Sequence, residues 1–342
     1  MESSSQHTVP RRTPTLEMVA EVAGVSRATV SRVINDSPKV TPEVIAVVNA
    51  AIAELNYVPN RAARSLASRK TQAIALIVPE STAKVFADPF FASVVQGVAT
   101  HLSSTDYTLN LLIASETDPD KTRRYLLGGN VDGALVVSHH SGDHSYTQLG
   151  NALPIVFGGR PLQADATDSY YVDADNVHGA RIATEYLIGR GRRQIAAIAG
   201  PQDMPAGIDR LRGFREALAS AGLTEGPVET ADFSPAGGAD AMRRLLATGQ
   251  PLDAVLAAND QMAAGAYGAL AEAGLRVPHD VALIGFDNDN FGATLSPPLT
   301  TVDQSPVALG EEMARKLVQL IAGDPVPRAT ITPTRLVERT SV

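Results

Sequence analysis

The chain has 342 residues, 44% of them hydrophobic and 19% charged, with a formal net charge of −8. That length exceeds one ordinary core and suits two or three domains. The absence of cysteine excludes disulfides and thiolate metal sites, and no apolar run reaches the ~20 residues that a membrane span needs. The acidic balance, averaged over the chain, argues against nucleic acid, but it is unevenly spread. Residues 1–70 hold nine Lys/Arg against six Asp/Glu, a charge of +3, which leaves −11 on the remainder. A basic head on an acidic body draws phosphates to one end and repels them elsewhere.

Residues 1–14 read as a disordered tail. MESSSQHTVPRR has a basic pair, Arg11 and Arg12, but no apolar core, so no export signal is expected. From Thr15 the pattern becomes helical. Thr15 is placed to cap a first helix that carries Glu17 and Glu21. Ala20 is small enough for two helices to cross closely, Gly24 suits a left-handed turn, and Val30 anchors a second helix that Ser26 caps. Two helices joined by such a turn expose one helix end in the way a helix-turn-helix places side chains in a major groove. TPEVIAVVNAAIAEL, from Thr41 to Leu55, predicts a third helix. Thr41 is its cap, Pro42 suits the first helical position, and Val44, Val47, Val48, Ala51, Ile52 and Leu55 form an apolar face. NRAARSLAS, from Asn60 to Ser68, predicts a helix too short and Ala-rich to persist alone, so it should order only against a partner.

The runs TLEMVAEVAGVSRATVSRVIN and ELNYVPNRAARSLA together resemble the DNA-binding region of LacI/GalR-family transcription repressors. The likeness extends from about residue 15 to the C-terminus. It implies that Arg27, Ala28 and Arg32 read bases, arginine by two hydrogen bonds to guanine and alanine by contact with a thymine methyl. It implies that Thr29, Ser31 and Asn35 mostly position the helix against phosphates and that Thr15, Ser26 and Tyr57 belong to the same DNA-binding set. Asn60, Arg61, Ala63 and Leu66 would belong to a hinge whose leucine wedges into the operator from the minor groove and bends it. The partners implied are a pseudo-palindromic double-stranded operator, a second copy of the chain, and a small sugar effector. No membrane partner and no cofactor are expected, and the implied setting is the cytoplasm at the nucleoid.

Beyond Thr71, short apolar runs alternate with helical stretches. AIALIVP, YTLNLLIA, DGALVVS, PIVFGG, RQIAAIAG, DAVLAA and DVALIGFD are separated by amphipathic segments such as Asn176–Arg190 and Gly207–Ala221. Buried β-branched strands between helices predict parallel α/β sheets. The expected fold is an N-terminal all-α helix-turn-helix head plus an α/β core. The core would have two doubly wound parallel-sheet subdomains, which the resemblance makes of periplasmic-binding-protein type. The boundaries read as a head over 15–58, a hinge over 59–70 and an effector-binding and dimerisation core over 71–342. Its first lobe would take about 71–173 and 305–328, and its second about 174–304 and 329–342. The later crossings between lobes would fall at Thr300–Pro306 and Asp324–Ala329. The tail after Arg335 lacks leucine heptads, which favours a dimer over a tetramer.

Ligands of such sheets bind outside the carboxyl ends of the strands. Asn259 and Asp287 directly follow apolar strands, and the resemblance matches both to effector-binding positions. It matches Arg210 to an arginine that grips sugar hydroxyls, Phe233 to an aromatic that stacks on the ring, and Gln304 to a cleft residue beside a crossing. Asp88 and Phe90 of FADPFF, and Glu80, are further candidates, as is Arg160 of GGRP. FADPFF, GGRP, SYYVD and GPQDM together are similar to cello-oligosaccharide-responsive members of the family, which points to a β-glucoside such as cellobiose. Ser138–His139–His140 with His144 has no completing ligand set, so no metal is expected. Asp173 and Asp175 have no nucleophile beside them, so an enzyme is not expected, and Asn176 reads as a helix cap. Two other functions remain open: a corepressor-dependent regulator sensing a nucleobase, and a transport-type sugar-binding protein.

Overall fold

A computed structural model describes residues 14–35, 37–58, 70–113, 119–141, 146, 149–150, 152–162 and 168–342. The chain forms two compact units, a head ending at Thr71 and a core beginning at Gln72. The expected hinge residues Asn60, Arg61, Ala63 and Leu66 lie outside the described residues.

The head contains α1 (Leu16–Val22), α2 (Arg27–Ile34) and α3 (Pro42–Leu55). Ser26 Oγ accepts from the Thr29 N–H at 3.1 Å, and Thr15 Oγ1 accepts from the Met18 N–H at 3.4 Å. Each bond satisfies one of the N–H groups that a helix start leaves open. Gly24 takes φ +65°, the left-handed turn that its lack of a side chain permits. Val19, Val30 and Val48 are fully buried at the centre of the three helices. The predicted apolar face of α3 includes one residue that the structure turns outward: Val47 is exposed, while Val48 and Ala51 are buried. Thr41 occupies the N-cap position of α3 but makes no side-chain bond to the helix backbone.

In the core, the first lobe takes β1 (Ala73–Val78), α4 (Thr82–Ala87), α5 (Pro89–Leu102), β2 (Thr108–Ile113), α6 (Pro119–Leu127), β3 (Gly133–Val137), β4 (Ile155–Gly158) and β5 (Tyr170–Ala174). The second lobe follows with α7 (Asn176–Gly189), β6 (Ile195–Ala199), α8 (Pro205–Ser220), β7 (Val228–Thr230), α9 (Pro235–Ala247), β8 (Ala254–Ala257), α10 (Asp260–Glu272), β9 (Ala282–Ile284) and β10 (Thr301–Asp303). The chain then returns to the first lobe as α11 (Pro306–Ala322) and β11 (Ala329–Thr332), and ends in the second with β12 (Arg335–Val337). The first sheet has the order β11-β5-β4-β3-β1-β2 and the second β7-β6-β8-β9, with parallel neighbours throughout; β10 and β12 form a separate antiparallel pair. These are the two parallel α/β subdomains expected from the alternation of apolar runs and helices.

The third crossing differs from its expected place. β11 pairs with β5, Ala329 opposite Tyr171 and Thr332 opposite Ala174. The first lobe therefore runs to Thr332, and the crossing lies between β11 and β12 rather than at Asp324–Ala329. The strand is four residues long and flanked by Pro327 and Pro333, so in sequence it looks like a linker. Its neighbourhood is secured by Lys316 of α11. The buried ammonium donates to the carbonyls of Tyr171 at 3.1 Å and Pro327 at 2.8 Å, which satisfies a cation in an otherwise apolar layer. Helices α5 and α11 cross with their backbones in contact. A side chain at Gly97 would meet the Val307 carbonyl, and one at Gly310 the Val94 carbonyl.

Candidate functional site

In the head, the predicted base-reading residues stand outward. Arg27, Ala28 and Arg32 are exposed on α2, and Asn35 follows them at its end. Arg27 Nη1 lies 3.1 Å from Glu17 Oε1, an exposed pair that water and salt weaken and that a phosphate or base could displace. Thr29 and Ser31 are half-buried, and Thr29 is engaged with the Ser26 hydroxyl at 2.9 Å. Asn35 Nδ2 donates to the Ser31 carbonyl at 2.8 Å. Tyr57 departs from its expected place on the DNA face. It is 8% exposed and packs in the head's apolar cluster, so its ring supports the fold first.

In the core, a cleft lies between the lobes. Seven of the eight predicted effector residues line it: Asp88, Phe90, Arg210, Phe233, Asn259, Asp287 and Gln304. Local structure explains their placement. Asp88 caps α5, its Oδ1 accepting from the Phe90 N–H at 2.9 Å. Asn259 caps α10 through the Met262 N–H at 2.8 Å and donates to the Phe233 carbonyl at 3.0 Å. Arg210 is the organising group. Its Nε donates to Asn176 Oδ1 at 2.9 Å, Nη1 to Asp287 Oδ1 at 3.2 Å, and Nη2 to Gln304 Oε1 at 3.2 Å. The guanidinium stacks 3.7 Å over the Phe286 ring. Such a held fork presents a fixed donor geometry at little further entropic cost.

Three cleft residues have backbones that L side chains rarely adopt. Ser138 has φ +62°, Phe233 φ +69° and Asp287 φ +109°. Each such residue costs about 1–3 kcal/mol and persists where its surroundings over-determine it, as at ligand sites.

Arg160 departs from its predicted role. Its guanidinium does not line the cleft; Nη2 contacts both carboxylate oxygens of Asp209, at 3.1 and 3.0 Å. Glu80 also stays beside the cleft, accepting from Ser138 Oγ and Lys84 Nζ, each at 2.7 Å, with His140 Nε2 at 3.4 Å. Burial would raise its carboxyl, but the hydrogen bonds from His140 and Lys84 bring it down to about 2.

The structure adds Lys84, Ser138, His139, Asp173 and Asn176 to the lining. Asn176 does not cap α7; Asp175 does, through the His178 N–H, which frees Asn176 to hold Arg210. The run DADN signals a helix start, but spacing along the chain cannot say which of its polar side chains turns into a cleft. Among the described residues, no group of three or more His, Cys, Asp or Glu side chains could hold a metal ion.

Buried carboxyls give the core a pH signature. Burial lifts Asp260 to about 7, and Asp289 and Asp173 each to about 6. A carboxyl with a raised folded pKa binds its proton more tightly when folded. Its stabilising contribution is therefore full at low pH and is lost as pH climbs from the unfolded value through the folded one. His140, raised to about 9 chiefly by Glu80, has the same sign at higher pH. Glu80 opposes them only below its ordinary range. The melting temperature of the core should therefore fall from pH 5 to pH 8, by ~2–4 °C per kcal/mol lost. Calorimetry of Asp260→Asn should show a shallower fall, since the amide can still meet Thr301 without ever carrying charge. An unchanged slope would exclude Asp260 as a source.

Residues 15–60 match bacterial regulatory proteins, lacI family, and residues 184–342 match the periplasmic binding protein-like domain. The chain is 47% identical over 334 residues to the HTH-type transcriptional regulator CelR of Thermobifida fusca, covering 96% of this chain and 97% of that one. Among solved structures, a transcriptional regulator CelR–cellobiose complex superposes with a TM-score of 0.77 at 44% identity, over 96% of this chain and 100% of that one. The lac repressor dimer bound to operator and an anti-inducer superposes with a TM-score of 0.85 at 29% identity, over 96% and 99%. Among the described residues, no helix is long and apolar enough to cross a membrane.

Proposed function

Since the chain belongs to the lacI family of bacterial regulatory proteins, we propose that its cleft takes cellobiose or a closely related β-linked glucose oligomer, and that filling the cleft releases an operator held by the heads of a dimer. The chain is a DNA-binding transcriptional repressor that responds to a sugar, not an enzyme. It works in the cytoplasm, at the nucleoid, where its operator is. The observation that carries the effector reading is the fixed fork of Arg210 among Asn176, Asp287 and Gln304, facing a cleft that also holds Phe90 and Phe233. Vicinal hydroxyls need donors and acceptors converging at fixed angles, and the apolar face of a pyranose needs a flat ring beside it.

The linkage works through differential affinity. An effector that binds the releasing state better than the operator-binding state shifts the population toward release. A coupling of ~2–4 kcal/mol would lower operator affinity ~30- to 1,000-fold. Release of a labelled operator across a panel of mono- and disaccharides and purines tests the reading. Cellobiose should release it at the lowest concentration. Tightening of the complex by a purine would establish a corepressor instead, and release by monosaccharides alone would exclude the β-glucoside. A second expectation concerns Leu66, the proposed minor-groove wedge. Leu66→Ala should weaken operator binding about tenfold through loss of the unstacking contact. Cellobiose affinity, measured by calorimetry, should not change. Full operator affinity in this variant would remove Leu66 from the mechanism.

A further inference from the structure

Two of the contacts between the lobes among the described residues lie beside the cleft, and neither belongs to its lining. Arg160, which follows β4 in the first lobe, grips Asp209 of α8 in the second through both carboxylate oxygens. His140, which follows β3, places Nδ1 2.8 Å from Asp203 Oδ2 of the second lobe, and the Ser141 N–H donates to the Asp203 carbonyl at 2.8 Å. Each contact is continuous in sequence with the lining. Gly159 and Arg210 flank one, and His139 and Met204 flank the other. Separating the lobes would break both.

Arg160 has a second attachment that sets it apart. Its backbone N–H donates to Asp173 Oδ2 at 2.9 Å, and Asp173 Oδ1 accepts from Asn176 Nδ2 at 3.0 Å. Asn176 in turn accepts from Arg210 Nε at 2.9 Å. The residue is thus tied to Arg210 twice, once through this chain of hydrogen bonds and once through Asp209, its sequence neighbour. Asp209 is only 7% exposed. Asp209 Oδ1 also lies 3.6 Å from Arg212 Nη2 of its own helix, but only Arg160 comes from the other lobe and meets both carboxylate oxygens, so the Arg160 contact is the part of this charge network that favours the closed arrangement.

We propose that Arg160 and Asp209 form a latch between the lobes that holds the cleft closed and sets Arg210 in its ligand-gripping geometry, so that effector affinity depends on a pair that does not touch the effector. A ligand that needs the closed form binds more weakly in proportion to the fraction of molecules already closed. Loss of the latch therefore weakens effector binding without removing any group that lines the cleft. His140 and Asp203 make a second, independent joint.

The test uses the full-length dimer. The chain has no cysteine, so Ser104→Cys in the first lobe and Ser220→Cys in the second place spin labels uniquely. Labelled chains diluted with unlabelled ones report the distance between lobes within one protomer. In the absence of any ligand, Arg160→Ala and Asp209→Asn should each shift the distance distribution toward longer separations. Cellobiose affinity and the midpoint of operator release should weaken together, about tenfold. The double variant should be no weaker than either single one, and the exchange Arg160→Asp with Asp209→Arg should recover most of the loss. Operator affinity without effector should not fall, which separates this effect from misfolding. Unchanged label distances, or additive losses in the double variant, would overturn the latch. The cellobiose arm rests on the effector reading of the previous section, whereas the distance arm does not. If the wild-type chain ignored cellobiose while the label distances still responded to Arg160→Ala, the effector reading would fail and the latch would stand.

Discussion

Arg210→Ala is expected to give a repressor that binds its operator normally and stays there when the effector is added. Four groups converge on this guanidinium: Asn176, the Ala258 carbonyl, Asp287 and Gln304. Burial works against its charge, and Asp287 and Asp173 restore it. Removing one member of a buried pair leaves the other uncompensated, at about 3–5 kcal/mol. Effector affinity should fall ~10- to 10²-fold as well, because the charged donor fork is gone and hydrogen bonds to a charged group carry about 1.5–3 kcal/mol. The same loss would lower core stability, because Asp287 is raised well above its ordinary value by burial and has Arg210 as its opposing charge. Arg210→Lys separates the two effects. Lysine keeps the charge beside Asp287 but is a point donor, unable to reach Asn176, Asp287 and Gln304 together. The lysine variant should melt near the wild type and still bind effector at least tenfold more weakly. Calorimetric titration and operator release, measured on the same preparations, decide it. A lysine variant released by effector at the wild-type midpoint would remove Arg210 from the site.

Arg27→Ala with Arg32→Ala should have the largest effect on the operator side. Each bidentate arginine–guanine pair carries about 1–3 kcal/mol of discrimination, and the two side chains are exposed on α2 with room to act separately. Specific affinity should fall ~10²- to 10⁴-fold if the two terms add. Binding to an unrelated duplex should weaken only slightly, because phosphate contacts dominate there. The single variants should each relax preference at a different base pair of the half-site, which an operator library resolves. Arg27 also pairs with Glu17, an exposed contact whose loss contributes little to stability. A double variant that kept the full ratio of specific to non-specific binding would show that α2 does not read bases.

The head was the most legible part of the chain. A helix-turn-helix is local: Ser26, Gly24, Ala20 and Val30 act within a few residues of one another, so spacing alone places them. The strand–helix alternation of the core was equally open to reading, because parallel strands buried on both faces are continuous apolar runs such as Ala73–Val78. The cleft was legible where a polar residue ends a strand or starts a helix, as Asn259 and Asp287 do. It was not legible at Arg160, Asp173 and Asn176. Their sequence signals are those of a turn and a cap, and the side chain that faces the cleft is decided by partners 13 to 49 residues away.

Local pattern therefore determined the helical head, its outward arginines, the two-lobed parallel core and most of the strand-end residues around the cleft. Tertiary structure alone decided that β11 closes the edge of the first sheet, that Tyr57 turns inward, that Asn176 rather than a nearer residue holds Arg210, and that Arg160 reaches across to Asp209. Those outcomes depend on which distant segments are brought within about 3 Å of one another. Periodicity and capping chemistry report only the few residues on either side, and pairing between lobes is settled by packing of the whole core.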